Sequence, residues 1–203
     1  MTDHLAFIGD VHGNICALRG ILDALASYED LHLVFLGDYL NKGANPAEVL
    51  ELLLTRQRAG DATLLAGNHE SALLAALDSA DLTSFLKMGG ATTIRSYLRR
   101  PVDPDVLQDF RDHLPASHLA GLRSMPLVWE SEGVLAQHFP ANSAGRGFSI
   151  SAHVPVGLLP RITATSAQLD TGSGSSGDGG RLTALLWPSC NYLQVDAAGR
   201  RMF

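Results

Sequence analysis

Five short apolar runs in this chain each lead into side chains able to ligate a metal ion. LAFIG leads to Asp10 and His12, LHLVFLG to Asp38, TLLAG to Asn68 and His69, VLAQ to His138 and FSISA to His153. A glycine precedes Asp10, Asp38 and Asn68 and permits a sharp turn with close backbone approach to whatever the acid or amide binds. In open α/β sheets ligands bind outside the carboxyl ends of the strands, so these residues can meet although the chain separates them widely. Carboxylate, imidazole and amide oxygen together suit Mn, Fe or Zn better than Ca or Mg, which prefer all-oxygen shells. Two ions explain the number of donors. One carboxylate can bridge two cations about 3.5 to 4 Å apart, a pair that activates a water and clamps phosphoryl oxygens during in-line attack. The reaction class implied is phosphoester hydrolysis.

The elements that must position these residues alternate strand and helix in the N-terminal half. LAFIG at 5–9 reads as a buried strand, and Asn14 opens a helix whose Ile15, Leu18, Leu22 and Leu25 fall on one face. LHLVFLG at 31–37 is the second strand, followed by Asn45 as N-cap, Pro46 in the first turn and Glu48 as capping-box acid. TLLAG at 63–67 is the third strand, followed by the helix ESALLAALD. This alternation predicts a parallel sheet covered by helices. From 81 to about 125 the pattern is helical throughout and reads as an inserted lobe. After Pro126, LVWESEG, VLAQH, FSISAH, ITATSAQLD and RLTALLW predict a second, mostly antiparallel sheet, with a mobile GSGSSGDGG loop at 172–180.

The chain has 203 residues, 46% apolar and 18% charged, which excludes a disordered, collagenous or coiled-coil protein and fits one domain over 1–203. Fifteen Lys and Arg against 21 Asp and Glu give a net charge of −6, which argues against a nucleic-acid partner. No apolar run approaches the ~18 residues of a membrane helix, and Asp3 and His4 stand where a leader would carry positive charge. Cys16 and Cys190 have neither disulfide-framework nor zinc spacing, and Cys16 reads as core packing. A reduced, cytoplasmic setting is expected. Asp170 reads as a strand end, and Arg95, Arg99 and Arg100 as a solvated basic edge of the lobe.

GDVHGN at 9–14, GDYLNKG at 37–43 and GNHE at 67–70 resemble the three ordered signatures of the calcineurin-like metallophosphoesterases, in their phosphoprotein phosphatase branch. The His138 segment, AHVPVG at 152–157, LDTG at 169–172 and GGRLTAL at 179–185 extend the resemblance over nearly the whole chain. It implies a sandwich of two mixed β-sheets flanked by helices, with the helical lobe inserted. It also implies two divalent ions, Mn first with Fe or Zn as alternatives. Asp10 and His12 would hold one ion, Asp38 would bridge, and Asn68, His138 and His153 would hold the other. His69 would protonate the leaving oxygen, and Glu70 would fix the turn that presents Asn68 and His69.

The sequence departs from the family in three places. Asn41 and Lys42 stand where the second signature has Asp and Arg, and Ala66 where an Arg often precedes GNHE. Asn41 can accept a hydrogen bond from His69 through its carbonyl oxygen but brings no charge. Lys42 offers a compact charge without the guanidinium fork. Arg146 is the basic residue between His138 and His153 and is a candidate for contacting phosphate, with Lys42 and Asn68. The expected activity is a serine/threonine phosphoprotein phosphatase, acting on a phosphoprotein or a small phosphoester. The alternatives are a diadenosine tetraphosphate hydrolase and a phosphate-binding or sensor module with weakened turnover. Metal affinity is expected to fall in acid, where the histidines take up protons.

Overall fold

The computed structural model describes residues 4–100, 106–131, 133–140, 147–174 and 179–202. β1 (Leu5–Ile8) pairs in parallel with β2 (His32–Phe35), and β2 in parallel with β3 (Ala62–Leu64). Parallel neighbours need a crossover, and α1 (Ile15–Leu25) and α2 (Pro46–Ala59) supply the two. β1 is apolar at every position because both its faces are covered. Ala6 and Ile8 join the core under the helices, while Leu5 and Phe7 join a second core between the sheets.

α3 (Asn68–Ser79) follows β3 and leads into the expected helical lobe of α4 (Thr83–Lys87), α5 (Ala91–Leu98), α6 (Val106–His113) and α7 (Ala116–Ser124). Phe85, Ile94, Leu98, Phe110 and Leu122 of the lobe belong to the same core as Leu18, Leu50 and Leu53 of α1 and α2. Among the described residues no helix is long and apolar enough to cross a membrane.

The second sheet has the order β4 (Val128–Ser131), β5 (Val134–Gln137), β6 (Phe148–Ser151), β8 (Ser166–Gln168), β7 (Arg161–Ile162). It is mixed rather than mostly antiparallel. β5–β6 and β6–β8 are parallel, and β4–β5 and β7–β8 are antiparallel. The connections after β5 and β6 are too long for hairpins and bring the chain back in the same direction. RLTALLW also changes place. As β9 (Arg181–Trp187) it lies antiparallel beside β1 in the first sheet and pairs with β10 (Tyr192–Asp196), giving the order β10-β9-β1-β2-β3. Its run of buried residues matches a strand covered on both faces. The result is two mixed sheets packed through Phe7, Val34, Leu36, Leu65 and Leu185 on one side and Val134, Ile150, Ala167 and Leu169 on the other.

The two helix starts differ from one another. Asn14 Oδ1 accepts from Ala17 N at 3.0 Å and caps α1. The Asn45 side chain makes no capping bond, and Glu48, expected to complete a capping box, instead pairs with Arg19 at 2.5 Å. Cys16, expected in the core, lies off the apolar stripe of α1 and is exposed. The central part of the 172–180 loop lies outside the described residues. Asn14→Ala is expected to lower the unfolding free energy by about 1 kcal/mol and Asn45→Ala by a smaller amount. Urea unfolding of the two variants measures this, and equal losses would contradict the difference in capping.

Candidate metal centre

The loops at the carboxyl ends of β1 and β2 are laced together by their backbones. Val11 N and His12 N donate to Asp38 O at 3.2 and 2.8 Å, Gly13 N to Tyr39 O at 2.7 Å and Gly43 N to His12 O at 2.8 Å. His12, Asp38, Asn41, Lys42 and His153 all take left-handed backbone conformations, with φ of 47, 56, 65, 55 and 66°. Each such conformation costs a residue bearing a side chain on the order of 1–3 kcal/mol, so neighbours must enforce it. Glu70 supplies much of that enforcement. Its fully buried carboxylate accepts from the backbone N–H of Asp38 at 2.8 Å, Tyr39 at 2.9 Å, Leu40 at 3.2 Å and Gly67 at 2.9 Å. A Cβ on Gly67 would stand 2.2 Å from Asp38 Oδ1, so glycine is needed for this loop to lie so close.

The imidazoles reveal which nitrogens face inward. His12 Nδ1 lies 3.1 Å from Leu40 O and His138 Nδ1 2.9 Å from Leu36 O. Each ring therefore gives its Nδ1 hydrogen to a carbonyl and turns a bare Nε2 toward the centre, as a ligating histidine must. His138 Nε2 meets Asn68 Oδ1 at 2.8 Å, His153 Nδ1 at 3.2 Å and Asp38 Oδ1 at 3.4 Å. His12 Nε2 lies 3.5 Å from Asp10 Oδ2 and 3.7 Å from Asp38 Oδ2, and Asp10 Oδ1 accepts from His153 N at 3.4 Å. Asp38 faces both sets with different oxygens. It is common to the two groups His12/Asp38/His69 and Asp38/His138/His153, within each of which the ligand atoms lie within 4.8 Å of one another. Nitrogen and oxygen donor atoms converge around His138 Nε2, and such a set fits divalent cations, with Asp38 placed between two.

His69 is turned the other way. Its Nδ1 lies 2.5 Å from Asn41 Nδ2, which also donates to Met88 O at 3.2 Å, while Thr93 Oγ1 donates to Asn41 Oδ1 at 2.6 Å. Met88 O can only accept, so the amide nitrogen faces it and His69 Nδ1 is an acceptor. The His69 hydrogen then sits on Nε2, 3.7 Å from Asp38 Oδ2, so in this state the ring turns a hydrogen rather than a lone pair toward the centre. Asn41 therefore donates to His69 and does not accept from it, contrary to the expectation from sequence. Lys42 Nζ lies 2.7 Å from His12 Nε2 and brings a positive charge to the centre. Arg146 lies outside the described residues. Arg95 and Arg99 line an open cleft that also carries Glu48 and Glu51, so that edge is not uniformly basic.

Three groups at the site carried no signal in the sequence. Thr93 and the Met88 carbonyl come from the lobe, where a lone polar residue in a helical pattern is unremarkable. Phe139 is half-exposed, its ring 4.4 Å from that of His153 and 5.0 Å from that of His138. Asp170 is buried, and its Oδ1 accepts from Gly172 N at 3.0 Å, in keeping with a structural strand end.

Burial pushes the Asp38 carboxyl up to about 9, reinforced by Glu70 and Asp10. Burial, then the Asp170 charge, raises Asp10 well above the usual carboxylate range. Burial lowers His12 and His138 to about 4 and His69 to about 3. At pH 7 without metal, His12, His69 and His138 are thus neutral and Asp38 holds a proton. Cation uptake must displace the Asp38 proton, so acid sensitivity arises from this carboxyl more than from histidine. Mn²⁺ titration at pH 7 is expected to release about one proton or more, read by calorimetry in buffers of different ionisation enthalpy, with affinity rising from pH 5 to pH 8. Equal affinity across that range would contradict it. Glu70→Gln sets an NH₂ against backbone N–H groups and is expected to weaken Mn²⁺ binding about 10–100-fold in the same titration.

A family model for calcineurin-like phosphoesterase matches residues 4–157. Over 66 residues the chain is 38% identical to a protein phosphatase 2A catalytic polypeptide of Dictyostelium discoideum, a stretch that is 32% of this chain and 21% of that protein. The match thus spans about a fifth of that relative's length. Among solved structures, a candidate diadenosine tetraphosphatase superposes with a TM-score of 0.69 at 19% identity, covering 97% of this chain and 94% of the other. A cold-active protein-tyrosine phosphatase from a psychrophilic Shewanella superposes at 0.61 with 16% identity, covering 100% of this chain and 80% of the other. At such identities these two likenesses speak for the fold. The family match extends over three quarters of the sequence, and the chain belongs to the calcineurin-like phosphoesterases.

Proposed function

We propose that this chain hydrolyses phosphoesters at a two-metal centre held by Asp10, His12, Asp38, Asn68, His138 and His153. The observation that carries the reading is the inward convergence of bare acceptors around Asp38, with the tautomers of His12 and His138 set by the Leu40 and Leu36 carbonyls. When bound, the two cations supply an activated water and neutralise phosphoryl charge. Mn suits the mixed oxygen and nitrogen donors, with Fe or Zn as alternatives. His69 presents its Nε2 hydrogen toward the leaving oxygen, Asn41 orients that ring, and Lys42 draws the phosphate as a point charge. Arg146 is a further candidate for phosphate contact.

The sequence match to a catalytic polypeptide of protein phosphatase 2A, together with GNHE at 67–70, supports a phosphoprotein substrate, with phosphoserine and phosphothreonine as the first candidates. The likeness in fold and length to a candidate diadenosine tetraphosphatase supports the second reading. Asn41, Lys42 and Ala66 support a third, a phosphate-binding or sensor module with slow turnover. With saturating Mn²⁺, the protein is expected to release phosphate from phosphopeptides or to cleave diadenosine tetraphosphate, and the faster reaction chooses between them. Asp38→Asn is expected to lose both metal content, by elemental analysis, and turnover. Retention of wild-type metal content and rate would place the centre elsewhere. A faster Asn41→Asp/Lys42→Arg variant would support the slow-turnover reading.

A further inference from the structure

The direction of the hydrogen bond between Asn41 and His69 is fixed by the helical lobe. Thr93 Oγ1 accepts from Asn41 N at 2.9 Å, which turns its own hydrogen to Asn41 Oδ1 at 2.6 Å. Met88 O, an obligate acceptor, lies 3.2 Å from Asn41 Nδ2. Turning the amide over would set Oδ1 against Met88 O and take away the acceptor for the Thr93 hydrogen. Asn41 and Thr93 are fully buried, so water does not compete for either end of the amide. His69 Nδ1 therefore receives a hydrogen, and the ring carries its own on Nε2. A carboxylate at position 41 would accept from an Nδ1–H, whereas the NH₂ of Asn41 can only give. In the observed state the ring has one hydrogen to offer, and parting with it would leave an imidazolate with no partner to stabilise it.

We propose that Asn41, held by Thr93 and Met88, is a positioning residue that limits His69 to hydrogen-bonding the leaving oxygen. The enzyme accordingly takes phosphoesters whose leaving group departs as an anion, aryl phosphates and phosphoanhydrides, in preference to alkyl esters such as phosphoserine and phosphothreonine. This rests on the phosphoester hydrolase reading and, within it, ranks phosphotyrosine and diadenosine tetraphosphate above the phosphoserine and phosphothreonine that the sequence match favours. In the step, a water oxygen bonds to phosphorus as the bond from phosphorus to the leaving oxygen breaks. The bonding pair stays with the leaving oxygen, which the His69 Nε2–H steadies. One proton of the attacking water passes to solvent and the other stays on the released hydrogen phosphate, and a departed phenolate takes one up from solvent afterwards. The half-exposed Phe139 ring, beside His138 and His153, offers an apolar wall to an aromatic substituent.

Kinetics of the Mn²⁺-loaded protein on a series of nitrophenyl, phenyl and alkyl phosphates, on phosphotyrosine and phosphoserine peptides, and on diadenosine tetraphosphate test the proposal. The phosphotyrosine peptide is expected to exceed the phosphoserine peptide in kcat/KM by about 10² or more, the lower range of what a proton-donating side chain contributes. Asn41→Asp is expected to narrow that ratio by favouring the alkyl ester. Thr93→Val, which frees the amide to turn, is expected to narrow it in part and serves if the first variant does not fold. The balance between phosphotyrosine and the dinucleotide identifies the source of the leaving group. Independently of turnover, ¹⁵N chemical shifts of the ring are expected to place the His69 hydrogen on Nε2 in the wild type and on Nδ1 in Asn41→Asp. Equal rates on the two peptides, a ratio unmoved in both variants, or a wild-type hydrogen on Nδ1 would each overturn the proposal. Loss of all turnover in the metal-loaded protein would instead overturn the hydrolase reading, with the ring assignment still deciding the role of Asn41.

Discussion

The Glu70 carboxylate is the constraint on which the centre depends. A carboxylate wholly removed from water is costly to keep ionised, and burial raises its affinity for a proton. Four backbone N–H groups oppose that rise, since they need an acceptor and a protonated carboxyl serves them poorly. Three of the four come from the Asp38–Leu40 turn and one from Gly67, so one side chain at the start of α3 fastens the β2 loop to the β3 loop. The strained conformation at Asp38 persists because this network and the bonds from Val11 and His12 leave the turn no relaxed alternative. Asp38 thereby turns one carboxylate oxygen to each histidine set.

The distance between the two donor sets is set by sheet packing. Asp10, His12, Asp38 and Asn68 stand at the ends of the parallel strands of the first sheet, while His138 and His153 follow β5 and β6 of the second. The layer of Phe7, Val34, Leu36 and Leu65 against Val134, Ile150 and Leu169 holds these strand ends face to face. Close-packed layers resist small displacements, so these donor atoms are held together by the packing of the sheets. The His138 hydrogen bond to Leu36 O crosses from one sheet to the other and sets the ring that completes the second group.

The clustering of these side chains was legible in the sequence because its basis is local: an apolar strand, a glycine turn and a metal-capable side chain lie within a few residues of one another. The topology was less legible. RLTALLW is an unmistakable buried strand, yet nothing in its residues says that it returns to β1, and its place after the five strands of the second sheet pointed the wrong way. YLQVD at 192–196 is short and mixed in character and gave no strand signal. Glu48 had the right offset for a capping box, but Arg19, brought near by tertiary packing, is the stronger partner for a carboxylate. The sense of the Asn41 bond lay beyond any reading of the sequence, because an amide can donate or accept and the deciding partners lie about fifty residues further along the chain.

Those partners give the helical lobe a part in the chemistry beyond covering the core. Gly89 and Gly90 let the chain turn sharply between α4 and α5, which leaves the Met88 carbonyl and Thr93 aimed at position 41. A carboxylate at that position would bring one oxygen against Met88 O with no hydrogen between them, a repulsion that the amide converts into a bond. The carbonyl and the asparagine are therefore matched. Position 41 cannot become acidic at no cost unless the Met88 peptide also moves. The identity of residue 41, the path of the lobe backbone and the hydrogen on His69 thus form one coupled arrangement, with the lobe fixing the sense of the bond and the bond fixing what the histidine can offer a substrate.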